Sequence, residues 1–301
     1  MASCAVLEFA WWAVAWTAGI SPAPLLMVYL AGAMAAFGVA LGARLLVGRS
    51  SPLPSRLSLM MGVVIIATSA SLFLPLKFAI PNEIPFWLDS PLARWERVFG
   101  VDPWVVLDAL FGKATPAFDF VYAGWLPTQL VIMFIVMLQP PSARKSRSMI
   151  VYSLSWLVLG VGAAVAFSSA GPIFYDRLYG GSNFAALTEN LRARGATLAI
   201  TETDAMWKAY ATNQPGLVAG ISAMPSLHVA ISFWMVLTAR SLAPRFTWLA
   251  IAYFLFIWVA SVQLGWHYLA DGLFGAFGVL AIWALARPLE ARLTAALPCR
   301  A

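Results

Sequence analysis

The sequence predicts an all-α, polytopic transmembrane helix bundle: six core spans plus one or two N-terminal spans, with short interfacial helices on the outer face. Three observations predict it. Hydrophobic residues make up 61% of the 301-residue chain and charged residues only 11%, and the mean hydropathy is +0.81, well outside soluble globular usage. Apolar runs of about 20 residues recur, the length that crosses a hydrocarbon core about 30 Å thick. Lys and Arg gather beyond alternate runs, the positive-inside pattern of an integral membrane protein.

Residues 9 to 20 are apolar but reach span length only if the helix starts near Ala2 and carries Glu8 close to the interface. After the Ser21-Pro22-Ala23-Pro24 break, residues 25 to 43 form a full-length span, and Arg44, Arg49 and Arg56 mark the loop beyond it as cytoplasmic. Residues 57 to 76 cross outward and deliver Lys77 to a long mixed-charge segment. Amphipathic pieces near 87 to 99 and 103 to 111 there carry Trp87, Trp95 and Trp104 among charges, as interfacial helices do, with Asp102 before Pro103 as a helix start. Residues 118 to 138 return, and Arg144, Lys145 and Arg147 follow at once. Residues 150 to 167 cross outward again. The polar excursion from 170 to 224 holds two short helices. One runs from Ser182 or Asn183 to a Gly195 cap, with Phe184, Leu187 and Leu191 on one face; the other lies around 204 to 212. Residues 225 to 242, 246 to 263 and 266 to 286 complete the crossings, ending at Arg287 and Arg292. The chain divides into an N-terminal accessory part (1 to 56), a catalytic membrane domain (57 to 287) and a cytoplasmic tail (288 to 301).

The formal charge of +6 belongs to topology, since 11 of the 19 Lys and Arg fall in short cytoplasmic loops and the tail. No basic run interleaves with aromatics, so no nucleic acid is expected as a partner; the partner surface is the bilayer. Cys4 and Cys299 match neither a metal-ligand spacing nor a disulfide framework. No basic residue precedes Arg44, so the N-terminus lacks the positive region of a cleavable signal. The oligomeric state has no signature here.

The chain has only two histidines. His267 has a carboxylate, Asp271, four residues on, and on a helix that spacing lets the acid orient the ring and free its other nitrogen for attack. His228, in Ser226-Leu227-His228, opens the span beginning at 225. The topology brings both to one membrane face, at helix starts whose free N–H groups favour a phosphate. Two imidazoles near neutral pH can divide nucleophilic attack and proton transfer between them. A lone histidine in a membrane helix serves packing as readily as chemistry, but the pair at one depth favours catalysis. Two histidines and one aspartate on separate helices make a weak metal signature, so no metal and no other cofactor is expected.

Pro225-Ser226-Leu227-His228 and His267-Tyr268 with Asp271 resemble the second and third motifs of the inositolphosphotransferase branch of the type 2 phosphatidic acid phosphatase superfamily, the branch that includes inositol phosphorylceramide synthases. The resemblance covers roughly residues 57 to 287. It implies that His267 is the phosphoryl-accepting nucleophile, that Asp271 orients it, and that His228 handles the leaving-group proton. The broader superfamily's first motif, a lysine, six residues and Arg-Pro, is absent, and Ser261 stands where an arginine is expected. The branch lacks these arginines too, so other cations must hold the phosphate. Lys77, Arg97 and Arg177 lie on the active face, Arg177 just after Ser168-Ser169-Ala170-Gly171-Pro172-Ile173-Phe174-Tyr175, a segment resembling the branch's span-to-loop junction. Each is also explicable as a solvated or headgroup-facing charge. Phe118-Asp119 with Tyr122, Trp125 and Pro127 resembles a stretch in which the acid belongs to the active site, so Asp119 is expected to bond the acceptor polyol or a catalytic histidine; the alternative is a helix cap.

The expected function is transfer of a phosphorylated, inositol-phosphate-like headgroup from a phospholipid donor to a lipid acceptor through a phosphohistidine. His228, His267 and Asp271 are expected to be catalytic, and Asp119, Lys77, Arg177, Tyr175 and Ser226 substrate-binding. The rivals are a phosphatase acting on phosphatidate or a polyprenyl diphosphate, and a non-catalytic lipid transporter or binder. The expected location is a bacterial inner membrane, with the active site facing outward.

Overall fold

The computed structural model describes residues 23–46, 53–214 and 220–296. Their only regular secondary structure is helical, with no strand among the described residues. The weak apolar segment at 9 to 20 and both cysteines lie outside them. Among the described residues four helices are long and apolar enough to cross a membrane: Leu26–Leu46, Ala143–Ala166, Pro244–Gln263 and Leu269–Arg292. A bent pair, Pro103–Ala123 with Trp125–Met137, makes a fifth. The protein is therefore a polytopic helical bundle.

Helix α1 (Ala23–Leu46) packs against α2 (Arg56–Glu83), whose interior prolines are Pro75 and Pro81. The pieces expected near 87 to 99 and 103 to 111 form helices α3 (Asp89–Glu96) and α4 (Pro103–Phe111), and α4 leads into the bent pair. Pro103 occupies the first turn of α4, where its missing N–H removes no helical bond. Asp102 precedes it, but its carboxylate goes to Arg97 at 2.7 and 3.1 Å rather than to a capping bond.

The run at 118 to 138, expected as one straight crossing, is α5 (Thr115–Ala123) and α6 (Trp125–Met137), bent by 48° at Gly124. Pro127 explains the break: it cannot donate to the Ala123 carbonyl, and its ring crowds that carbonyl. The Thr128 hydroxyl donates to the Gly124 carbonyl at 2.8 Å and so satisfies backbone at the bend. In α7 (Ala143–Ala166) residues Ser155–Ala163 are wound as a π-helix, a form that turns up at functional sites.

The polar excursion folds into α8 (Pro172–Tyr179), α9 (Ala185–Ala193) and α10 (Thr197–Thr212). As the periodicity requires, Phe184, Leu187 and Leu191 are buried. Gly195 follows α9 with φ +78°, the left-handed conformation of a helix stop. Helix α10 begins seven residues before the expected 204 because Asp119 captures its first amides, a long-range contact that local propensity does not encode.

The centre of the bundle is α11 (Leu227–Leu242), packed against α12 (Thr247–Gln263) and α13 (Leu269–Leu285). Its 16 residues rise only about 24 Å, short of a full span, yet Val229, Ala230, Ile231 and Trp234 are fully buried. The helix runs inside protein instead of facing lipid. Trp234 Nε1 donates to the Ser148 carbonyl at 2.8 Å and fixes α11 to α7. At the end away from the histidines, Arg147 donates to Glu290 at 2.6 Å and to the Trp283 carbonyl, and lies 4.4 Å over the Trp283 ring. That joins α7 to α13 and to α14 (Arg287–Ala296), which runs into the segment expected as a cytoplasmic tail.

Candidate active site

Two turns at one end of the bundle carry the imidazoles. In the first, Ser226 caps α11, its hydroxyl accepting from Val229 N at 3.4 Å, which places His228 in the first helical turn. Ser226 N donates to the Asp271 carbonyl at 3.0 Å, so this turn is tied directly to the second. There, Gly265 takes φ +73°, and its carbonyl accepts from Ile173 N at 2.9 Å. A side chain at 265 would enter Leu187, so glycine is required both for the turn and for the close approach.

The sequence places His267 in the first turn of a helix; the structure places it just before one. Tyr268 is extended and caps α13, which starts at Leu269. The pairing with Asp271 survives because the acid, in the first turn, reaches back: its Oδ2 accepts from Tyr268 N at 3.0 Å and lies 3.3 Å from His267 Nδ1. His267 is 6% exposed and Asp271 fully buried.

His228 lies between two aromatics, stacked on Tyr122 at 4.4 Å and against Trp125 at 4.2 Å. The centroids of the two imidazoles are 6.0 Å apart. Both line a cavity of about 310 Å³ whose walls include Lys77, Trp156, Glu202 and Trp266. Gly160, from the π-helical stretch of α7, is part of that wall and admits Phe73 and Leu227 side chains where a Cβ would clash.

The other expected ligand residues separate into two groups. Lys77 reaches the cavity and has no hydrogen bond or ion pair with any described residue. Arg177 does not reach it: the guanidinium pairs with Asp204 and lies over Trp207. Arg97 is held by Asp102 and Asn183. The Tyr175 hydroxyl lies 3.0 Å from Ser90 Oγ, with the ring against Phe184, and Ser226 is spent as a cap. Asp119 accepts from Leu198 N and Ala199 N, both at 2.8 Å, and caps α10 instead of meeting a histidine. Replacing Asp119 by alanine should lower stability by about 1–2 kcal/mol. Faster proteolytic nicking within 197–212 of the detergent-purified variant checks this.

Three acids that sequence reasoning did not single out shape the site. Asp89, fully buried, accepts from Ala170 N at 2.9 Å and Gly171 N at 2.9 Å and fixes the 168–172 junction. Gly171, at φ +94°, lets that junction touch the Trp266 carbonyl. Glu96 accepts from Leu269 N, the first amide of α13, beside the His267 turn. Glu202 lines the cavity itself. The only available signal for Glu96 was its place on an amphipathic helix, which does not tell a buried acid from a solvated one.

Burial, opposed by the Leu269 amide, pushes the Glu96 carboxyl up to about 8 from 4.5. The folded protein therefore keeps a proton that the unfolded chain releases, and stability falls as pH rises from about 4.5 through about 8. E96Q should flatten the Tm of the purified protein across that window.

Among the described residues no group of three His, Cys, Asp or Glu is placed to hold a metal ion. No curated protein and no solved structure matches the chain. A family model described as the PAP2 superfamily matches residues 90–285, well over half of the sequence and all of the two histidine turns, and the chain thus belongs to that superfamily, as a membrane enzyme of the lipid phosphatase and phosphotransferase kind.

Proposed function

We propose that the protein transfers a phosphorylated, inositol-phosphate-like headgroup from a phospholipid to a lipid alcohol, by a metal-independent double displacement. The observation that carries this reading is the meeting, in one cavity, of two imidazoles 6.0 Å apart and a cation without a protein partner. A phosphodiester between the rings would have Lys77 for its negative charge.

In the first half-reaction a His267 ring nitrogen attacks phosphorus. The P–N bond forms, the bond to the diacylglycerol oxygen breaks, and His228, entering as imidazolium, protonates that oxygen. In the second, neutral His228 takes the proton of the acceptor hydroxyl. The acceptor oxygen attacks phosphorus, the P–N bond breaks, and both rings return to their starting states. Asp271 holds the His267 ring in place and stabilises charge on it.

The aromatic and aliphatic walls, with Tyr29, Phe73 and Leu74 beside the headgroup pocket, favour lipid chains over water. The arrangement of Lys and Arg supports an outward-facing position for this end of the bundle. Purified protein in lipid nanodiscs, given headgroup-labelled phosphatidylinositol with or without ceramide or diacylglycerol, tests the reading. A new labelled phospholipid that depends on the added alcohol is expected. Release of water-soluble label alone would make water the acceptor and the protein a phosphatase.

A further inference from the structure

The cavity contains a carboxylate that the double displacement does not use. Glu202 projects from α10 one turn after the two amides that Asp119 holds, and Met206, four residues on, lines the same cavity. That face of α10 is therefore fixed as a wall of the site. Glu202 makes no hydrogen bond or ion pair with any described residue. Its charged neighbour outside the cavity is Asp119, another acid.

An unpartnered carboxylate is a poor neighbour for a bare phosphate, because it repels the oxygens that Lys77 attracts. It is a good neighbour for a group that donates hydrogen bonds. An ammonium group fits less well. His228 packs against Tyr122 and Trp125, with ring centroids at 4.4 and 4.2 Å, and so takes up aromatic surface that a cation would otherwise use. Lys77 would also repel a second cation in the same cavity.

We infer that Glu202 accepts hydrogen bonds from hydroxyl groups of a polyol esterified to the phosphate, and thereby selects a hydroxyl-bearing phosphodiester over a bare phosphomonoester. This rests on the transfer reading for its substrate, and it extends that reading by naming the residue that discriminates. A site that bonds a substrate hydroxyl rejects analogues lacking one better than an apolar wall does, and Glu202, exposed to solvent on the cavity wall, is available to make that bond.

Full-length protein in nanodiscs, wild type, E202A and E202Q, gives the test. With phosphatidylinositol and a lipid alcohol, E202A should lose about tenfold or more in kcat/KM. Hydrolysis of phosphatidate should be unchanged or faster, and E202Q, which keeps an acceptor oxygen, should recover part of the loss. Equal effects on both substrates, or none, overturn the inference.

A second measurement separates it from the transfer reading. myo-Inositol 1-phosphate should raise the Tm of the wild type more than inorganic phosphate at equal concentration, and E202A should erase the difference while keeping the phosphate shift. If transfer is absent but this difference is present and depends on Glu202, the transfer reading fails and the Glu202 subsite stands. Equal shifts by both ligands in the wild type, or a larger shift with phosphoethanolamine, overturn the subsite.

Discussion

Substitution of His267 by alanine is expected to lower turnover by on the order of 10⁴-fold or more, because in the proposed double displacement it removes the atom that bonds to phosphorus. The loss should appear in kcat and in kcat/KM alike, and binding of a non-hydrolysable phospholipid analogue should persist. Rapid quench with a phosphorus-labelled donor should trap label on the wild type in an acid-labile, base-stable form, as a phosphoramidate behaves, and none on H267A. H267Q guards against a folding defect, since it keeps polar volume in a site only 6% exposed. An H267A enzyme with wild-type turnover would remove the nucleophile from the mechanism. His228 behaves differently in the same scheme. H228A should be slow on natural donors yet regain much of its first half-reaction on a donor with a nitrophenolate leaving group, which departs without a proton.

Replacing Lys77 by methionine should reduce kcat/KM by about 10²- to 10³-fold, the usual penalty for deleting one preorganised donor from a developing oxyanion. Methionine matches the length of the side chain and leaves its stem packed beside Phe73 and Leu74, so Tm should change little. K77R should rescue only in part, because a planar fork does not replace a point charge in a cavity of about 310 Å³. R177M and R97M provide the contrast. Both guanidiniums are committed to acids, Arg177 to Asp204 and Arg97 to Asp102, and their loss should leave kcat/KM within about twofold. Lys77 also lies outside the 90–285 stretch that defines the family match, as do Tyr29, Phe73 and Leu74. The first two helices therefore supply one wall of the cavity and its lysine, and a chain truncated to the matched stretch should be inactive.

Sequence reading went furthest where the cause is local. The His267 to Asp271 spacing, the Ser226-Leu227-His228 helix start and the buried face of Phe184, Leu187 and Leu191 all follow from residues within one or two turns of each other, and the structure keeps each of them. The helix expected from 266 starts three residues later, at Leu269, because Gly265 and Tyr268 take non-helical backbone, yet the acid still reaches the ring. The straight span at 118 to 138 became a bent pair for a reason already written at Pro127.

The charged residues fared otherwise. Asp119 could be read as a ligand or a cap, and its partners, Leu198 and Ala199, lie about 80 positions away in the chain. Arg177, Arg97 and Lys77 had equal claims on the phosphate until the fold brought Asp204 to one, kept Asp102 beside another and left the third facing the cavity.

By itself the sequence determined that this is an all-helical membrane protein with two imidazoles and an orienting carboxylate at helix starts. Hydropathy and short-range spacing are properties of the chain that folding does not alter. Only the tertiary structure decided which cation faces the cavity, which acids serve as caps, and that Glu202 lines the cavity. What a charge does depends on which opposite charge or amide arrives beside it, and that partner comes from a distant part of the chain.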